Sequence, residues 1–133
     1  MNAFNAHERG HGESLQILAT IQQRGDPVIV PILLVAEIAS AVARVTDDRA
    51  GALQYASATA ALPNLTLVAL TAALGRQAAE LAAAHRLRGA DAVYLAVARR
   101  FATSLISRDE KQLRRGSRVA ACLTPEEALA QTR

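Results

Sequence analysis

The sequence predicts an α/β fold: three layers, α/β/α, with a mainly parallel sheet covered by helices on both faces. Three observations carry that prediction. Short β-branched or leucine-rich runs alternate along the chain with alanine-rich segments of helical period. The intervening segments are long enough to serve as the crossover connections that parallel neighbours require. A length of 133 residues suffices for one core and not for two, so a single domain is expected over residues 1–133.

Leu15, Leu18 and Ile21 recur at helical spacing, and Gly25 with Asp26-Pro27 stops that helix. Val28-Ile29-Val30 is β-branched throughout and reads as a buried strand ended by Pro31. Leu33 to Val45 is helical by composition and period. Asp47-Asp48 then punctuates the chain before a second alanine-rich helix that runs to about Leu62. Pro63-Asn64 turns into a second strand, Leu65 to Leu70. A helix from about Ala72 to His85, stopping near Gly89, is followed by a separate helix from Ala90 to Ala102. Thr103 to Ser107 is the third strand and Arg118 to Leu123 the fourth. Thr124-Pro125-Glu126-Glu127 places a threonine cap, a proline at the first helical position and a glutamate at the third, and so opens a final helix.

Composition narrows the function classes. Hydrophobic residues make up 51% of the chain, yet charged or polar residues interrupt every apolar run before it could cross a bilayer. No basic region followed by an apolar block opens the chain, and its single cysteine, Cys122, forms no internal disulfide. A cytoplasmic protein without membrane association is expected. The formal charge of +3 is uneven: residues 1–66 carry 4 basic and 6 acidic side chains, residues 67–133 carry 11 and 6. Arg99, Arg100, Arg108, Arg114, Arg115 and Arg118 flank Asp109 in sequence, and their planar forks suit phosphate. An arginine-rich half also follows from composition alone. Aromatic residues are only 3%, which argues against a base-stacking platform.

The chemistry rests on three acids set beside apolar elements: Glu37, Asp91 and Asp109. Desolvating an unpaired carboxylate is costly, so each needs a partner. In a parallel sheet, residues just after a strand and the start of a helix feeding the next strand lie at the carboxyl edge, where open α/β sheets bind ligands. Asp109 follows the third strand, Glu37 sits in the helix leaving the first, and Asp91 opens the helix feeding the third, so the three should converge. Oxygen ligands gathered in this way suit Mg²⁺ or Mn²⁺, and phosphodiester hydrolysis is the matching chemistry. Taken singly, each acid has a structural alternative: Glu37 can pair with Arg44, Asp91 can cap its helix, and Asp109 can be a turn residue. A rival motif, His7-Glu8-Arg9-Gly10-His11, is a literal H-E-x-x-H of the kind that binds zinc in metalloproteases. Gly10 and Gly12 weaken that helix, and no third ligand lies in an evident second helix.

Pro31-Ile32-Leu33-Leu34-Val35-Ala36-Glu37-Ile38, Gly89-Ala90-Asp91-Ala92 and Ser107-Arg108-Asp109-Glu110 resemble, in order and spacing, the acidic motifs of the PIN domain, and within it of VapC-like toxins. The resemblance runs from about residue 4 to residue 130. It implies an endoribonuclease dependent on Mg²⁺ or Mn²⁺, with Glu37, Asp91 and Asp109 as catalytic metal ligands and Ser107 supporting Asp109. It further implies the toxin of a type II toxin–antitoxin pair, an RNA substrate, a cognate antitoxin that inserts into the groove, and a homodimer. Family members open with a strand ending in a further aspartate. Here no aspartate precedes Asp26, so that strand is expected to be missing: either Met1 lies downstream of the true start, or the chain is a remnant with impaired catalysis, with Glu8 or Glu13 the nearest acids to the gap. A non-catalytic PIN scaffold that binds antitoxin or RNA is the alternative, with a zinc metalloprotease behind it.

Overall fold

A computed structural model describes Gln23 and residues 27–132. The helix expected around Leu15 to Ile21, the H-E-x-x-H motif, and Glu8 and Glu13 lie outside the described residues.

Strand β1 (Val28–Pro31) leads through Ile32 into helix α1 (Leu33–Thr46). Asp47 ends α1 in the left-handed region at φ 52°, where its amide closes on the Ala43 carbonyl. Asp48 then caps α2 (Arg49–Ala60) by accepting from the Gly51 amide at 3.0 Å. Gly51 suits that cap because a Cβ there would come within 2.4 Å of the Asp48 carboxylate. Strand β2 (Leu65–Val68) pairs with β1 in parallel, Val28 opposite Leu65 and Pro31 opposite Val68. Proline at the end of β1 is tolerated because the ladder continues through the Ile32 amide, which donates to the Val68 carbonyl at 2.8 Å.

Thr71 caps α3 (Ala72–His85) through the Leu74 amide at 3.1 Å. Helix α3 ends at His85 as expected, closed by Arg86 at φ 55°, and Gly89 opens the next helix, α4 (Gly89–Arg100), one residue before the expected start. Leu87, between them, is buried and anchors the turn. Strand β3 (Leu105–Ile106) and strand β4 (Cys122–Leu123) pair in parallel and are shorter than expected. Ahead of β3, Ala102 takes φ 50° to leave α4. Ahead of β4, the amides of Val119 and Ala120 turn back to the Gly116 carbonyl instead of entering a ladder. Between them lies helix α5 (Glu110–Gly116), which the periodicity did not show. The last helix, α6 (Pro125–Thr132), starts as expected, with the Glu127 amide donating to Thr124 Oγ1 at 3.1 Å.

The α/β/α class is borne out, with short parallel strands set among helices. The ladder differs from a single sheet: among the described residues β1–β2 and β3–β4 are two separate parallel pairs. What they share is α4, which packs on both β1 and β3 and against α3. Its alanines make this close contact feasible, and Ala92, Val93, Leu95, Ala96, Val97 and Ala98 are all buried. One core cluster gathers α3, α4 and β3; a second holds Val30, Leu34, Ile38 and Ala56 between β1, α1 and α2. At about 25 cal/mol per Å² of apolar surface, burying α4 on several sides is a main source of stability. Gly116 keeps α5 against this core, since a Cβ there would approach Leu95 to 3.1 Å and Cys122 Sγ to 3.2 Å.

Candidate functional site

Asp109 is presented at the carboxyl end of β3 as the cap of α5. Its Oδ1 accepts from the amides of Lys111 at 2.9 Å and Gln112 at 3.1 Å. Its own amide donates to Ser107 Oγ at 3.0 Å, so Ser107 supports Asp109 through the backbone. The Gln112 and Lys111 amides, opposed only by partial burial and helped by the neighbouring Arg88 guanidinium, lower the Asp109 pKa below the ordinary carboxylate value. The structural alternative for Asp109, a turn residue, is thus replaced by a helix cap.

Asp91 lies in the first turn of α4, which is capped by Arg88 without a side-chain cap bond. Its carboxylate makes no cap either: Oδ2 accepts from Arg88 Nε at 3.1 Å. The same guanidinium reaches Asp109 Oδ2 through Nη2 at 2.8 Å. Two aspartates 18 positions apart in sequence therefore meet on one cation at the edge the strand order predicts. Gln112 ties the same elements from beneath. It is the buried polar side chain of the described residues, its Nε2 donating to the Asp91 carbonyl at 3.1 Å and its Oε1 accepting from Ser107 Oγ at 2.6 Å.

Glu37, half-buried on α1, accepts a hydrogen bond from the phenol of Tyr94, one helical turn beyond Asp91. Burial, then the Glu37 hydrogen bond and the charges of Glu37 and Asp91, push the Tyr94 pKa upward and keep it a donor. Arg44, the expected alternative partner of Glu37, instead donates to the Ser40 carbonyl at 3.4 Å. The three acids therefore fall into two hydrogen-bonded sets, Glu37 with Tyr94, and Asp91 and Asp109 with Arg88, related through helix α4. Among the described residues no three acids, histidines or cysteines are grouped closely enough to hold a metal by themselves.

The arginines divide. Arg99 and Arg100 are exposed at the far end of α4, about 12 Å along the axis from Asp91 at 1.5 Å per residue. Arg100 stacks over Phe101 at 5.9 Å. Arg108 pairs with Glu126 on α6, whose pKa that bond lowers. Arg115 donates to the Arg86 carbonyl, while Arg114 and Arg118 are exposed. Sequence reasoning missed Arg88, Tyr94 and Gln112. Two signals existed: Arg88 and Tyr94 lie three positions either side of Asp91, and Asp109 to Gln112 has the spacing of a capping box.

A carboxylate pair fixed at the carboxyl edge of parallel strands, with a cation between, defines a polar-ligand site of the open α/β type. The donor set suits a hard divalent ion, since Mg²⁺ commonly takes one or two carboxylates and keeps water or phosphate for its other positions. The chain belongs to the PIN domain family, whose model matches residues 1–118. PIN domains are generally nucleases that depend on divalent metal, and membership suggests that class of activity. No characterised relative matches the chain in sequence. No helix among the described residues is long and apolar enough to cross a membrane.

Proposed function

We propose that this chain is a Mg²⁺- or Mn²⁺-dependent endoribonuclease, the cytoplasmic toxin of a type II toxin–antitoxin pair. The observation that carries the reading is the meeting of Asp91 and Asp109 on one positive group at the carboxyl edge. Those two aspartates would hold the ion, with Glu37 beyond Tyr94 as the third acid. Bound there, a divalent ion lowers the pKa of water and neutralises charge growing on a phosphate. The chain's own part is positional. Ser107 and Gln112 fix the two aspartates relative to each other, and Tyr94 fixes Glu37. The exposed Arg114 and Arg118, together with Arg99, Arg100, Arg108 and Arg115, are proposed to meet RNA phosphates. A homodimer and an antitoxin seated in the groove complete the reading.

The test is RNA cleavage with Mn²⁺ by the wild type, Asp91→Asn and Asp109→Asn. Each variant should lose about a hundredfold or more, the scale seen when a buried electrostatic contributor to a transition state is removed. Cleavage at the wild-type rate by either variant would remove the proposal. A second reading, a non-catalytic scaffold binding antitoxin or RNA, draws on Arg88 spanning the space between the aspartates. Mn²⁺ binding without turnover by the wild type favours it.

A further inference from the structure

We propose that Arg88 is the resident counter-cation of the Asp91–Asp109 pair, and that a divalent ion enters by displacing its guanidinium; this rests on reading those aspartates as the ion's ligands. The Asp109 carboxylate and the Asp91 backbone are held by other groups, and the cation's side chain is not. Asp109 is held by two amides through Oδ1, leaving Oδ2 to Arg88. Asp91 is held by the helix and by Gln112 at its carbonyl, and its Oδ2 also faces Arg88.

The Arg88 backbone is equally secure, with buried Leu87 before it and its carbonyl accepting from the Ala92 amide at 2.9 Å. Its side chain, in contrast, is 77% exposed against 20% and 32% for the two aspartates. The guanidinium can therefore swing into water without breaking a core contact, while Asp109 keeps its two amide donors and the Asp91 backbone its place in the first turn of α4. A planar fork is suited to this task because Nε and Nη2 reach different carboxylates at once. Two like charges left facing each other without it would repel, so Arg88 stabilises the ion-free site and competes with the ion for the same two oxygens.

The experiment titrates Mn²⁺ into the whole chain, following free Mn²⁺ by electron paramagnetic resonance, for the wild type, Arg88→Ala, Arg88→Gln and Asp109→Asn. Arg88→Gln keeps the length of the side chain and most of its packing, so it reports on charge even if the alanine variant folds poorly. Both Arg88 variants should bind Mn²⁺ about three- to tenfold more tightly, the scale of one or two exposed ion pairs relieved. In the wild type, saturation with Mg²⁺ should shift the Arg88 Nε–H resonance, assigned by its absence from Arg88→Gln. Equal or weaker Mn²⁺ binding by both Arg88 variants, with binding abolished in Asp109→Asn, would overturn the role of Arg88 and leave the ion site standing. No Mn²⁺ binding by the wild type and by both Arg88 variants would overturn both.

Discussion

The side-chain amide of Gln112 donates to the backbone carbonyl of Asp91 at 3.1 Å, joining the two helices that carry the aspartates through one buried group. Its other end accepts from Ser107 Oγ, which in turn accepts from the Asp109 amide. One residue thus sets the spacing of both acids without touching either carboxylate.

Replacing Gln112 with Leu keeps the volume and removes both hydrogen bonds. The Ser107 hydroxyl loses the acceptor of its proton and the Asp91 carbonyl its side-chain donor, at the usual net cost of about 0.5–1.5 kcal/mol per hydrogen bond. Urea denaturation should show destabilisation on that scale. RNA cleavage measured at a temperature where the variant is fully folded should fall by about tenfold or more, as when an outer partner of a metal ligand is lost. Wild-type cleavage by a folded Gln112→Leu protein would show that the aspartates hold their spacing without it.

How much of this was legible depended on whether the signal was local. Leu33 to Thr46 announced itself by period, and Thr124-Pro125 by cap chemistry, because both effects act within one turn. Helix α5 escaped notice because its seven residues hold one large apolar side chain, Leu113, too few for a period. Strand β4 is shorter than the run Arg118 to Leu123 suggests because the amides of Val119 and Ala120 close the end of α5 by donating to the Gly116 carbonyl, which leaves Cys122 and Leu123 for the ladder. The acids stood out as carboxylates beside apolar runs. Their partners did not, because what Arg88, Tyr94 and Gln112 face is decided by elements 21 to 57 positions apart being packed together.

Tyr94 supplies a prediction at alkaline pH. Its pKa is raised above the ordinary 10.0, so above that pH the unfolded chain releases a proton that the folded chain retains. Folding stability is therefore full below pH 10 and falls as pH rises beyond it. Tyr94→Phe removes this component and costs about 1.5–3 kcal/mol at neutral pH if the bond to the Glu37 carboxylate has its usual charge-assisted strength. Tyr55, also raised by burial, keeps a residual slope in the variant. Denaturation curves at pH 8 and pH 11 check both parts. An undiminished alkaline loss in Tyr94→Phe would mean that the phenol is not held as a buried donor.

Asp109 supplies the acid counterpart, with the opposite sign. The Gln112 and Lys111 amides and the Arg88 charge lower its pKa in the folded state, so the folded chain stays ionised where the unfolded chain has begun to take up a proton. Its stabilisation is present above the ordinary carboxylate value of 3.8 and is lost as pH falls through the lowered value. Asn is a good helix cap, so Asp109→Asn should hold α5 at neutral pH while flattening the loss of stability in acid. Asp109→Ala should lose the cap as well, at a cost of about 0.5–2 kcal/mol at every pH. Glu126, lowered first by its bond to Arg108, keeps part of the acid slope in both variants. Urea midpoints measured from pH 7 down to pH 2.5 separate the two contributions. If Asp109→Asn retained the full wild-type slope, the carboxylate charge would carry none of the acid dependence, and its contact with Arg88 would have no energetic weight in solution.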